Sequence, residues 1–75
     1  MNNERRREIR HVIKKIDAIK SDIDSILSEE QWAFDNMPEG LQNSERGQNC
    51  EDSIDLLQEA MEILNDAVNS LESIN

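Results

Sequence analysis

Aromatic residues are almost absent from this chain: Trp32 and Phe34 are the only two, and there is no tyrosine. Cysteine occurs once, as Cys50, which excludes a disulfide framework within the chain and suits a reducing compartment. With His11 the only histidine, there is little material for a transition-metal centre. Glycine and proline are limited to Pro38, Gly40 and Gly47, so the helix breakers are confined to one stretch. No apolar run approaches the roughly 18 residues of a membrane span, and the first residues lack the apolar core of a secretory signal. A cytoplasmic location with no membrane association is the expectation.

Cations are also missing from most of the chain. Residues 1–20 hold seven of them, Arg5, Arg6, Arg7, Arg10, Lys14, Lys15 and Lys20, against three carboxylates. Residues 21–75 hold one cation, Arg46, and 14 carboxylates, and the net charge is −9. Two readings of this asymmetry stay open. A basic helix end can lie beside an acidic one in the same molecule, or one end can meet a partner of opposite charge.

What is present in quantity is helical periodicity. Ile9, Val12, Ile16, Ile19, Ile23 and Ile26 step alternately by three and four, the a/d pattern of a heptad seam. Ile13 and Leu27 widen it. Ile54, Leu57, Met61, Leu64, Val68 and Leu71 repeat the pattern, with Cys50 one step upstream and Ala60, Ala67 and Ile74 alongside. Leu56 and Ile63 fall off this stripe, seven residues apart, and imply a second contact surface. The spacing predicts an all-α fold: an antiparallel two-helix hairpin in one domain, 1–75. Its helices are expected over about 4–34 and 44–74, with a connection over about 35–43. One partner helix cannot cover stripes this wide, so self-association into a four-helix bundle or higher oligomer is expected. Ile9, Val12, Ile16, Ile19, Ile23, Ile26, Leu57, Leu64, Val68 and Leu71 are its candidate core.

Within the connection, Gly40 is expected to allow the turn, and Asn43 or Ser44 to cap the second helix ahead of Glu45. Ser28-Glu29-Glu30-Gln31 has capping-box spacing, or is simply the last turns of the first helix. Trp32, Phe34, Met37 and Leu41 are expected to close the end of the bundle as an apolar plug. Alternatively, Trp32 and Phe34 form an exposed binding pair.

Catalysis finds little support. His11 sits in a basic stretch and reads as a solvent-facing helical residue. Cys50 continues an apolar row and reads as a buried thiol with no activating base nearby. Asp55, Glu59 and Glu62 share a helix face, but no Glu-x-x-His pair of the di-iron type occurs. No catalytic, cofactor-binding or metal-ligating residue is assigned, and the protein is read as non-enzymatic. Arg6, Arg10 and Lys14, spaced by four, line one stripe and are candidate phosphate contacts. An acidic pI near 4.4 argues against nucleic acid and leaves a small phosphorylated ligand as the alternative.

The segment Glu29-Glu30-Gln31-Trp32-Ala33-Phe34-Asp35-Asn36-Met37-Pro38-Glu39-Gly40-Leu41-Gln42-Asn43-Ser44-Glu45-Arg46-Gly47 resembles a motif of short helical proteins from bacteriophages and prophages of Gram-positive bacteria. Their second helices carry similar acidic-apolar repeats. The resemblance implies a phage context in a host cytoplasm. Phage proteins of this size often inhibit host defence by binding a protein or sequestering a signal molecule. Three functions follow as expectations. The first is a protein-binding inhibitor that engages a host protein through Trp32, Phe34, Asp35, Met37, Leu41, Glu45 and Arg46, or through its acidic face. The second is an oligomeric sponge for a cyclic-nucleotide-like signal, and the third a purely structural coiled-coil module.

Overall fold

The computed structural model describes residues 1–74; Asn75, the last residue of the expected single domain, lies outside the described residues. Two long helices, α1 (Asn3–Asp35) and α3 (Glu45–Glu72), pack side by side, and the one-turn α2 (Glu39–Gln42) sits between them. No strand occurs among the described residues. The molecule is a rod of 58 × 15 × 12 Å. Its length follows from α1, because 33 residues at about 1.5 Å each span roughly 50 Å.

The helix starts are chemically marked. Asn2 caps α1, its side-chain oxygen accepting from the Arg5 amide at 2.8 Å. Ser44 caps α3 and accepts from the Gly47 amide at 3.5 Å, with Glu45 in the first turn where the dipole favours an anion. Of the two expected caps, Ser44 is the one used. Ser28-Glu29-Glu30-Gln31 lies inside α1, so its spacing marks no helix start.

Packing selects which of the apolar rows meet. On α1 the side turned to α3 carries Ile9, Ile13, Ile16, Ile23, Leu27 and Phe34, all half-buried, with Lys20 and Glu30 interspersed. On α3 it carries Cys50, Ile54 and Val68, which are 5–7% exposed, and the half-buried Leu57, Met61, Leu64 and Leu71. Val12, Ile19 and Ile26, read from the sequence as part of the same seam, are 42%, 49% and 51% exposed. Two helices offer each other only one stripe, so the seam rotates onto Ile13 and Leu27 and leaves that row outside. No large side chain falls below 2% exposure among the described residues.

Candidate functional site

The connection is built by short-range polar contacts. Pro38 stands before α2, and its carbonyl accepts from the Leu41 amide at 2.8 Å and the Gln42 amide at 3.1 Å. The Gln42 side chain then donates to the Phe34 carbonyl at 2.9 Å, tying the turn back to the end of α1. Gly47 is buried, and a Cβ there would collide with the backbone carbonyls of Gln42 and Leu41. Gly40 has nothing within 4 Å of the same position and no positive φ. The expectation that Gly40 makes the turn is therefore corrected. The glycine that the fold requires is Gly47, and the reason is close backbone approach rather than backbone angle.

Below the turn, the Cys50 thiol donates to the Glu30 carboxylate at 2.8 Å. That hydrogen bond, then burial, then the carboxylate's own charge push the thiol up to about 11, with the Arg46 guanidinium pulling the other way. Such a thiol stays protonated at neutral pH and is a poor nucleophile. His11 is exposed, as are Asp55, Glu59 and Glu62. No group of three or more His, Cys, Asp or Glu side chains is placed to hold a metal ion among the described residues.

The residues read from the sequence as a partner-binding set are divided by the fold. Trp32 is 69% exposed and lines a shallow groove with Leu27, Gln31, Asp35 and Gln58. Met37 and Arg46 line a different groove, with Glu30, Ala33, Asn49 and Cys50. Phe34 is half-buried between the helices, Leu41 is 43% exposed, and Glu45 is exposed. The apolar plug is thus corrected: Phe34 and Met37 turn partly inward, while Trp32 and Leu41 face solvent. A helix turns about 100° per residue, so Trp32 and Phe34, two apart, point to different sides.

The far end of the rod is held differently. Arg6 and Arg10 line an open cavity of about 280 Å³ with Ile9, Ile13, Leu71 and Glu72. The Nε of Arg6 is buried without a hydrogen-bond partner among the described residues. Lys14, the third candidate phosphate contact, is exposed and does not line this cavity. Glu72 does lie beside the Arg-rich start, yet the ion pair formed among the described residues is Lys20–Asp17, within α1, at 3.8 Å.

The two broad faces of the hairpin differ sharply. On both helices, the residue after each inward-facing one is polar: Arg10, Lys14, Asp17, Ser21 and Asp24 on α1, and Glu51, Asp55, Gln58, Glu62 and Asn65 on α3. The residue before is often apolar. Val12 precedes Ile13, Ile19 precedes Lys20 and Ile26 precedes Leu27. Leu56 precedes Leu57, Ala60 Met61, Ile63 Leu64 and Ala67 Val68. One residue back is the same rotation of about 100° on each helix. Because the helices are antiparallel, that rotation carries both rows onto one broad face. Ala33 and Asn49, at the same positions one step before Phe34 and Cys50, line one groove together, as this geometry requires.

No helix among the described residues is long and apolar enough to cross a membrane. No protein-family model matches this chain, and no curated protein and no solved structure shows significant similarity to it.

Proposed function

We propose that this chain is a non-enzymatic, phage-type binding protein that associates with itself and inhibits a host protein by occupying its surface. The observation that carries the reading is Trp32. A large aromatic that could have been turned between the helices is instead 69% exposed on the regular helix α1, in a groove edged by Asp35. Aromatic side chains in such positions dominate binding energies, and truncating one typically costs about 2 kcal/mol or more of affinity. The surrounding charge favours a basic partner, because residues 21–56 hold ten carboxylates and one cation. Self-association is supported by the exposed rows Val12-Ile19-Ile26 and Leu56-Ile63, and a counterpart in the cytoplasm of a Gram-positive host by the resemblance of residues 29–47.

The test is affinity capture from lysate of Gram-positive bacterial cells. A protein retained by the native chain should be lost, by roughly 30-fold in affinity, when Trp32→Ala is introduced with helicity unchanged by circular dichroism. Equal retention by Trp32→Ala overturns the assignment of this surface.

A second reading, the sponge for a small phosphorylated signal, is supported by the cavity at the open end, where Arg6 and Arg10 converge and the Arg6 Nε has no partner among the described residues. A panel of cyclic nucleotides in thermal-shift measurements tests it, because a ligand at about 100 times its Kd adds about 2.7 kcal/mol. No shift with any of them removes it.

A further inference from the structure

We infer that the apolar broad face is covered by a second copy of this chain, laid antiparallel with its connection at the opposite end, about a two-fold axis at the level of Ile19. The inference rests on the self-association proposed above and adds its face, its orientation and its register.

Exposed area sets the need. A compact monomer of 8.7 kDa would expose about 4,700 Å², whereas this chain exposes 5693 Å². The excess, roughly 1,000 Å², is near the 800 Å² or so that each partner contributes to a standard stable interface. The face that would supply it carries Val12, Ile19 and Ile26 from α1 and Leu56 and Ile63 from α3, each 42–65% exposed.

Spacing sets the register. An axis at Ile19 puts Ile19 against the partner's Ile19 and Val12 against the partner's Ile26, because the row is symmetric about its middle member. Within one hairpin, the contact of Glu30 with Cys50 places Ile19 level with Met61, and Met61 shares a groove with Lys20. The same axis therefore crosses α3 at Met61, half a residue or about 0.75 Å from the point between Met61 and Glu62. There it brings Leu56 to the partner's Ala67 and Ile63 to the partner's Ala60, a large side chain over a small one each time. This is how two helices interlock at close approach. One axis satisfies both rows to within half a residue on α3.

Charge sets the orientation. The connection half, residues 21–56, has ten carboxylates and one cation; the remaining residues have seven of each. Connections at the same end would stack two halves of −9, while the antiparallel arrangement lays each against a balanced half that contains the seven N-terminal cations.

Sedimentation of the native chain and cysteine cross-linking test this together. In a Cys50→Ser background, Ile19→Cys should form a disulfide-linked dimer under mild oxidation at least tenfold faster than Val12→Cys. An equimolar mixture of Val12→Cys and Ile26→Cys chains should cross-link to each other, which reads the same axis without altering Ile19. Preferential cross-linking of Ile19→Cys to Ala60→Cys would instead mark connections at the same end and overturn the orientation. A dimer in which none of these pairs links overturns the face. A native chain that sediments as a monomer at tens of micromolar removes self-association itself, and this inference with it.

Discussion

The two ends of the hairpin are held by different physics. At the connection, Gly47 lets backbone pass against backbone, Gln42 binds the Phe34 carbonyl, Ser44 caps α3 and Cys50 binds Glu30. Each contact has one geometry and one partner. At the open end, Ile9, Ile13 and Leu71 meet around a cavity, and Arg6, Arg10 and Glu72 line it without forming an ion pair among the described residues. Charge is abundant there, but long side chains in water gain little by fixing one another. The connection is therefore expected to set the register of the whole rod, while the open end frays first.

Substitution at the two glycines should break this contrast most strongly. Gly47→Val forces a side chain into the Gln42 carbonyl, and a loss of about 3 kcal/mol is expected, read as a fall of roughly 15 °C in Tm. Gly40→Ala meets nothing within 4 Å at a conformation alanine accepts. It should leave stability unchanged or raise it by about 0.5 kcal/mol. Equal losses at both would show that glycine serves the turn and not the close approach.

The caps come next. Ser44→Ala should cost about 1 kcal/mol in urea unfolding. Asn2→Ala removes the same kind of bond from an end that is already loose, and about 0.5 kcal/mol is expected. A larger loss at Asn2 would reverse the ranking of the ends.

The Cys50–Glu30 contact makes a prediction in pH. The folded thiol, held near 11, binds its proton more tightly than an unfolded one, which ionises near 9.0. Its contribution is complete below the unfolded value and is lost as pH rises through the folded one, so stability should fall between about pH 9 and 11. Cys50→Ala should flatten that part of the stability–pH curve relative to the native chain, and an unchanged slope would separate the fall from this thiol. The smallest effect belongs to the open end. Glu72→Gln should change stability by less than about 0.5 kcal/mol at any salt concentration, and a larger, salt-dependent loss would mean that Arg6 or Arg10 pairs with it in solution.

Much of this architecture was legible in the residues. The two heptad rows and the single cluster of breakers gave two long helices around one connection, because period and backbone restriction are local properties. Ser44 as a cap and Cys50 as a buried thiol were legible for the same reason. The site was less so. Trp32 and Phe34 are neighbours in sequence but part company on the helix surface, and Trp32 and Arg46 line separate grooves. The Glu30–Cys50 bond carried no sequence signal, since nothing local says which turn of one helix lies opposite which turn of the other, and the packing of Gly47 against Gln42 arises only once the connection is folded.

What the chain determined by itself was helix type, helix extent and the existence of more apolar surface than one partner helix can cover. Which part of that surface closes the hairpin was decided only when α1 met α3. The inward stripe took Ile13 and Leu27 and left Val12, Ile19 and Ile26 outside. Both rows satisfy the same periodicity, and only the register of the connection, set by the Gln42–Phe34, Gly47–Gln42 and Cys50–Glu30 contacts, could choose between them.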